Sequence, residues 1–261
     1  MTQQHRLNAL LELVSDRGEI SITEISDALQ ISAATARRDL NALADEHLLT
    51  RTHGGAVALG TGYELPLQYK IARQGEAKLA IAGAVSKLVS LSDSIGLNGG
   101  TTTSEVARAL GRSPHLVGKD VEYGLTVVTN ALNIGYELSV RPHIKIVVTG
   151  GIARRQSYEL VGSIVTNTLS DLVLDTVILG VDGLSEQFGA TTLHEGEAEV
   201  SQSFVKVAKR VIVVADSTKM GRATLARISP LDQIDVLVTE KPVSGALAAA
   251  LDAANVRVVL P

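Results

Sequence analysis

The amino-acid sequence predicts an α/β chain with a small helical domain that ends in a β-hairpin, followed by a larger domain built on an open, largely parallel sheet. A length of 261 residues is enough for one small core and one larger core. Apolar residues first repeat at helical spacing and later form short continuous runs, which are typical of strands covered on both faces. The segment GTGYELP, without a clear period, separates the two patterns. We therefore assign residues 1–58 to the first domain, 59–74 to a linker and 75–261 to the second domain.

Three short helices are predicted in the first domain. Ser21 and Glu24 form a capping-box signature, and Ser32 is placed to cap a third helix that runs to about residue 46. Gly18 follows the first helix where a C-terminal cap is needed. Each helix is expected to bury an apolar stripe. These stripes are Leu7, Leu10, Leu11 and Val14; Ile22, Ile25, Ala28 and Leu29; and Ala36, Leu40 and Leu43.

A hairpin is predicted after the third helix, with strands at 48–52 and 56–59 around Gly54 and Gly55. Two capped helices joined by a tight turn and followed by a hairpin have the order of a winged helix-turn-helix. That architecture places the second helix of the pair, which is the third predicted helix of this domain, in the major groove of DNA. The sequence therefore predicts DNA binding by the first domain.

Strands and helices alternate in the second domain, which predicts a parallel sheet with helices packed on it. Helical stretches are expected at 104–110, 195–209 and 244–254. The apolar runs predicted to be strands are 94–97, 125–129, 145–149, 176–181, 211–215, 236–239 and 256–260.

Composition limits the classes of function. The chain has no Cys and six scattered His, so we expect no disulfide, no metal site and no cofactor. Its start lacks the pattern of a signal peptide, and no run approaches the length of a membrane span, so we expect a cytoplasmic protein without a membrane partner. The net charge of the chain is −4, and residues 1–58 contain five Arg against eight acidic residues. Attraction to DNA must therefore come from the placement of a few cations rather than from bulk charge.

The third helix has an outer face suited to reading DNA. With its apolar stripe turned inward, the opposite face presents Ala33, Ala34, Arg37, Arg38 and Asn41. Small residues allow close approach to the groove, and arginine pairs with phosphate or with a guanine edge. An isolated pair of arginines is more often simply solvated, but here it occurs within the predicted helix-turn-helix and wing.

The run SAATARRDLNALADEHLLTRTHGGA resembles the signature of the DeoR family of transcriptional regulators. Ala36 departs from it, since the family often has a bulkier aliphatic residue there. The resemblance implies a homo-oligomeric repressor of carbohydrate-utilisation genes that binds double-stranded operator DNA. The residues expected to contact DNA are Ser21, Ser32, Ala33, Ala34, Thr35, Arg37, Arg38, Arg51, His53, Gly54 and Gly55.

In the second domain, IGLNGGTTTSEVARAL places a Gly-Gly-Thr turn between a strand and an amphipathic helix. Free amides at a helix N-terminus, with hydroxyl groups beside them, suit an anion such as phosphate, although such turns also simply connect elements. The run lacks the lysine of a Walker loop and the spacing of a dinucleotide fingerprint. Polar residues end other predicted strands as well, and in an open α/β sheet these ends lie at one edge.

This arrangement resembles the DeoR-family sensor domain, whose fold is related to sugar-phosphate isomerases. The resemblance implies a phosphorylated sugar effector, and LGVDGLSEQFGATTLHEGEA is similar to members that control amino-sugar or galactitol use. Asn98 stands where many relatives have Asp. The residues expected to bind the effector are Asn98, Gly100, Thr101, Thr102, Thr129, Asn130, Gly151, Asp182, Glu197 and Lys219.

A sugar-phosphate isomerase-like enzyme is the alternative function. Asp182, His194, Glu195 and Glu197 offer acid and base groups near a bound sugar phosphate. However, His194 and Glu195 are also placed to cap or orient the following helix, and no catalytic string typical of the isomerases is evident. We therefore expect a regulator whose effector weakens DNA binding, rather than an enzyme.

Overall fold

The computed structural model describes residues 2–59, 66–70, 74–118 and 120–261. Contacts divide the chain into two compact units, Met1–Arg73 and Gln74–Pro261. Most of the predicted linker, 59–74, lies outside the described residues. No helix in the described part of the chain is long and apolar enough to cross a membrane.

The first unit contains the predicted helices and hairpin in the predicted order. The elements are α1 (Gln3–Arg17), β1 (Glu19–Ser21), α2 (Ile22–Leu29), α3 (Ala33–Asp45), β2 (Leu49–Arg51), β3 (Gly55–Ala58) and α4 (Leu67–Lys70). Strand β1 was not predicted, because three residues are too short to show a period of two. It pairs antiparallel with β3, so that the hairpin becomes a sheet of order β1-β3-β2. Helix α4 lies in the predicted linker, and its Tyr69 is buried in the core of this unit.

Helix caps follow the sequence signals. The Ser21 hydroxyl accepts from the Glu24 amide at 3.2 Å, while the Glu24 carboxylate accepts from the Ser21 amide at 2.8 Å. The Ser32 hydroxyl accepts from the Thr35 amide at 3.2 Å, and Gly18 ends α1 with φ of 76°. These contacts satisfy helix amides that have no partner within the helix.

The predicted apolar stripes of α1 and α3 are confirmed, since all their members are buried. The prediction for α2 was wrong at Ala28, which is exposed. Ile22, Ile25 and Leu29 lie on one side of the helix, and a turn of about 100° per residue carries Ala28 to the flank of that stripe.

The second unit is an open α/β domain, as predicted. Its helices are α5 (Gly75–Ser86), α6 (Thr101–Arg112), α7 (Leu132–Ser139), α8 (Ser163–Ser170), α9 (Glu195–Val207) and α10 (Gly245–Ala253). Its strands are β4 (Ser94–Leu97), β5 (Leu125–Thr129), β6 (Ile144–Val148), β7 (Ile152–Ala153), β8 (Leu160–Val161), β9 (Thr176–Gly180), β10 (Gly183–Ser185), β11 (Gly189–Thr192), β12 (Val211–Val214), β13 (Ala226–Ser229), β14 (Val236–Val238) and β15 (Arg257–Val259).

Seven of the described strands form a parallel sheet of order β15-β14-β12-β9-β4-β5-β6. Its two faces are covered by separate apolar clusters, one with α5, α6 and α7 and the other with α8, α9 and α10. The chain builds outward from β4 in one direction through β5 and β6, and in the other through β9. The carboxyl ends of β4 and β9 therefore flank the point where strand order reverses, which is where open α/β sheets bind ligands.

The seven predicted strands are confirmed, and no strand end is shifted by more than one residue. The pattern missed α7 and α8, the hairpin of β7 and β8, and a second sheet of order β10-β11-β13. These strands are two to four residues long, and such lengths are too short for a period to be detected.

Candidate functional site

The outer face of α3 is exposed as predicted. Ala33, Ala34, Arg37 and Arg38 all lie on the surface, while Ala36 on the opposite face is fully buried. At the start of this helix the hydroxyl groups of Ser32 and Thr35 are 2.9 Å apart and both residues remain accessible to solvent. The surface therefore carries two guanidinium groups beside small side chains, with room for close approach to a groove.

Asp39 lies on the inner side of the same helix and is buried. Arg6 from α1 binds its carboxylate with two donors, Nε to Oδ2 and Nη2 to Oδ1, the latter at 3.0 Å. Because Arg6 donates to the Asp39 carboxylate, the pKa of Arg6 is raised. This ion pair fastens α3 to α1, and it neutralises an acid that lies next to Arg38 in the sequence.

In the wing, the predicted residues divide into exposed and structural ones. His53 and Gly54 are exposed at the turn between β2 and β3. Arg51 donates from Nη1 to the Gly55 carbonyl at 3.2 Å and so braces this turn. Gly55 is buried against β1, because a Cβ there would lie 2.0 Å from the Ile20 carbonyl oxygen. The Ser21 hydroxyl serves as the α2 cap.

Asn98 joins the two central strands of the large sheet at their carboxyl ends. Its Nδ2 donates to the Gly180 carbonyl at 2.9 Å, and its Oδ1 accepts from the Gly180 amide at 2.8 Å. A carboxylate at this position would accept the second bond but has no proton for the first. The amide thus bonds reciprocally with Gly180, whereas a charged acid would not donate to the Gly180 carbonyl.

Helix α6 begins directly after this pair, at the Gly99-Gly100 turn. Gly100 has φ of 132°, and the first amide-to-carbonyl bond is Ser104 to Gly100 at 3.1 Å. No side chain in the described part of the chain caps the preceding amides of Thr101, Thr102 and Thr103. These amides, together with the positive end of the helix dipole, suit an anion.

Two acid-base pairs lie in the same unit. Asp182, which follows β9, is 3.4 Å from Lys219 Nζ. Buried Glu197 of α9 is bound by Arg154 Nη1. Thr192 connects the two acids, with its hydroxyl 3.1 Å from Asp182 Oδ2 and 3.3 Å from Glu197 Oε2. The structure therefore unites Asp182, Glu197 and Lys219 in one polar network.

The other predicted effector residues have varied surroundings. Thr129 is fully buried, and its hydroxyl donates to the Leu97 carbonyl at 2.8 Å. Gly151 is at a close packing point, because a Cβ there would meet Val165 at 2.6 Å. Asn130 is fully buried, and its Nδ2 donates to Glu159 and to the Leu160 carbonyl while its Oδ1 has no partner in the described part of the chain.

Sequence reasoning missed Arg154, Glu159 and Thr192. Each lies at a position to which the pattern gave no function: Arg154 after the Gly150-Gly151 turn, Glu159 just before a two-residue strand and Thr192 at the end of β11. A lone acid in the otherwise apolar run YELVG was the one signal for Glu159, since an acid in such a run is buried with partners.

Two family models match the chain. Residues 6–61 match the DeoR-like helix-turn-helix domain, and residues 73–241 match the DeoR C terminal sensor domain. The chain belongs to the DeoR family. It is accordingly a DNA-binding transcriptional repressor of that family, which confirms the resemblance and the function predicted from the sequence.

Relatives of this DeoR-family chain extend over nearly its whole length. It is 32% identical over 260 residues to the HTH-type transcriptional regulator GlpR of Haloferax volcanii. The match covers 99% of this chain and 98% of the relative. It is 29% identical to the Glycerol-3-phosphate regulon repressor of Escherichia coli, over 93% and 92% of the two chains. Among solved structures, it is similar to ribose 5-phosphate isomerase A of Methanocaldococcus jannaschii at 19% identity and a TM-score of 0.40, over 56% and 54% of the chains.

Proposed function

We propose that this DeoR-family repressor binds double-stranded operator DNA as a homo-oligomer, and that a phosphorylated sugar bound in its second unit weakens that binding. The observation that carries the proposal is the uncapped start of α6 beside the network of Asp182, Glu197, Arg154 and Lys219. The helix amides suit a phosphate group, and the carboxylates and cations suit sugar hydroxyl groups. The relative from Escherichia coli is named for a phosphorylated polyol, which supports this class of effector.

On the DNA side, Arg37 and Arg38 are the residues that we propose to contact the operator, because they are exposed on the face of α3 opposite its core. Ser32, Ala33, Ala34 and Thr35 surround them, and Ser32 and Thr35 offer hydroxyl groups to phosphate. His53 and Gly54 lie at the wing tip. Ser21, Arg51 and Gly55 act by shaping the helix start and the wing. Two heads on one operator would engage half-sites about one helical turn apart.

Arg37→Ala tests the DNA-reading face. If Arg37 reads a base, we expect operator affinity to fall by roughly 1 to 3 kcal/mol while affinity for unrelated DNA changes little. If it contacts phosphate, both affinities fall together and the salt dependence becomes shallower. Fluorescence anisotropy at fixed salt, with an operator selected from random DNA, measures both.

Arg112→Ala is the matched control, since it removes an exposed arginine from the end of α6 in the second unit. It should leave operator affinity unchanged. An Arg37→Ala protein that binds operator as well as the control would exclude Arg37 from the interface.

The effector is tested with a thermal-shift screen over phosphorylated sugars and polyols, followed by operator binding with and without the compounds that stabilise the protein. We expect at least one such compound to raise the midpoint and lower operator affinity. Tight binding without any change in operator affinity would refute the coupling.

We propose that the second unit senses its ligand without turning it over. Of the candidate acid-base groups, His194 is engaged as the cap of α9, accepting from the Gly196 amide through Nδ1 at 3.0 Å, and Glu195 is exposed. Asp182 and Glu197 are held in ion pairs. Conversion of ribose 5-phosphate or glucosamine 6-phosphate by the purified protein, abolished by Asp182→Asn, would favour the isomerase-like alternative.

A further inference from the structure

Glu159 is a buried acid that connects two parts of the proposed effector site. It lies just before β8, and its Oε2 accepts from Asn130 Nδ2 at 2.9 Å. Its carboxyl also accepts from the Gly99 amide. The contact with Gly99 is close, because a Cβ on that glycine would lie 2.2 Å from Glu159 Cγ and 2.5 Å from Cδ. Glu159 therefore ties the end of β5 to the turn that begins α6.

Among the residues that the structure describes, no positively charged side chain pairs with Glu159. The carboxylates of Glu197 and Asp182 face it, and Arg154 and Lys219 are engaged by those two acids. The pKa of Glu159 is raised to about 8, mainly by burial and next by the negative charge of Glu197. At neutral pH Glu159 is then mostly protonated.

The charge of Glu159 matters to an anion at the start of α6. When Glu159 is ionised, its negative charge lies next to the Gly99 amide. It then repels an anion bound by the neighbouring amides at the start of α6. When it is protonated, the turn keeps its support without that repulsion. Asn130, its hydrogen-bonding partner, also has a fully buried Oδ1 with no partner among the described residues, and this acceptor suits a ligand hydroxyl.

We propose that Glu159 is a positioning residue of the effector site, which holds the Gly99 turn against Asn130 and binds a proton together with the anion. The proposal rests on the function proposed above. It predicts that binding becomes weaker as the pH rises and that each anion bound brings part of a proton with it. The ligand itself does not supply the proton.

Sulfate tests this, because it has the shape and charge of a phosphate dianion but does not titrate in this range. Isothermal titration calorimetry of the full-length protein should show sulfate affinity falling by about tenfold between about pH 7.5 and about pH 9. Repeating the titration in buffers of different ionisation enthalpy should reveal proton uptake by the wild-type protein. That measurement needs no variant, so it holds even if a substitution at Glu159 fails to fold.

Glu159→Gln keeps the volume and stays neutral, so its sulfate affinity should not vary with pH and its proton uptake should vanish. Glu199→Gln is the matched control, since Glu199 is exposed on α9, and it should behave as the wild type. Equal pH dependence in Glu159→Gln and wild type, or binding without proton uptake, would overturn the role of Glu159 alone. A wild-type protein that does not bind sulfate would refute the anion site of the proposed function itself.

Discussion

The two units of this repressor place their functional groups in opposite ways. In the first unit, Arg37 and Arg38 are consecutive residues that lie exposed on one helix. In the second unit, Glu159 and Glu197 are buried and come together from separate elements. The cations proposed to contact DNA are exposed and need no partner within the protein, whereas buried charged groups must be paired before any ligand arrives.

This difference determines which substitutions should damage each unit. In the first unit, the side chains proposed to contact DNA should tolerate substitution without loss of the fold, because they are exposed on α3. Its stability should depend most on the buried ion pair of Arg6 and Asp39, on the inner side of α3. In the second unit, residues proposed to form the effector site, such as Asn98, Asn130 and Glu197, are also buried, so binding and stability should change together.

Arg6→Ala should give the largest effect. It leaves the Asp39 carboxylate buried without its bidentate partner, and we expect the first unit to lose roughly 3 kcal/mol of unfolding free energy. Hydrogen exchange measured by mass spectrometry should show faster exchange in α1, α2 and α3 and unchanged exchange in the large sheet. Operator affinity should fall although Arg6 lies outside the proposed contact face.

The double variant Arg6→Met with Asp39→Leu is the control, because it removes the pair without leaving a buried charge. It should recover much of the stability lost in Arg6→Ala. If Arg6→Ala alone leaves exchange in the three helices unchanged, the ion pair does not hold α3 in place.

Sequence reasoning succeeded for the first unit because its signals are local. Ser21 with Glu24 and Ser32 with Thr35 lie within three residues of each other, and the stripe of α3 repeats within one helix. The strands of the large sheet were predictable for a similar reason, since each is a continuous apolar run. Strand β1 and Ala28 were missed or wrongly placed because a three-residue strand and the edge of a stripe give too few positions to define a period.

The second site was predictable only in part. Strand ends marked Asn98, Asn130 and Asp182, because parallel strands place their carboxyl ends at one edge. The partners that control these residues lie far away in sequence, as Glu159 does from Gly99, and no local pattern links them. Likewise, the amide of Asn98 gained a clear role only when Gly180 was found opposite it.

Gly99→Ala sharpens the comparison at the buried site, with a somewhat smaller expected effect. Its methyl group would overlap the Glu159 side chain, and we expect a loss of about 2 kcal/mol in the second unit through overpacking. Sulfate binding should weaken in parallel. Gly83→Ala is the matched control, because Gly83 lies within α5 with no atom within 4 Å of the added Cβ. It should stabilise the unit by about 0.5 to 1 kcal/mol.

Denaturant unfolding of both variants separates space from glycine flexibility. Equal effects of the two substitutions would mean that the turn tolerates a side chain. In that case the close approach of Glu159 to Gly99 does not constrain the site.

The smallest effect should come from more exposed charges of the second unit. These charges lie at the amino ends of the strands, opposite to the carboxyl ends that carry the proposed effector site. Asp175 accepts from the Ser94 amide at 3.0 Å and hydroxyl at 2.7 Å, and its Oδ1 is 2.8 Å from Lys209 Nζ. These contacts, with Lys209 first, lower the pKa of Asp175. A lowered carboxyl pKa stabilises the folded state above the ordinary Asp pKa of about 3.9, and the contribution is lost as the pH falls toward the folded-state pKa.

Asp175→Asn should therefore be less stable than wild type at neutral pH, and the difference should shrink as the pH is lowered below about 4. Lys209→Met should change stability less than Asp175→Asn, since the lysine is two-thirds exposed and the Ser94 bonds remain. Added salt should shrink the Lys209→Met effect further through screening. If Lys209→Met proved as damaging as Asp175→Asn at high salt, the exposed pair would behave like the buried ones, and burial would not be what distinguishes the sensitive charges of this protein.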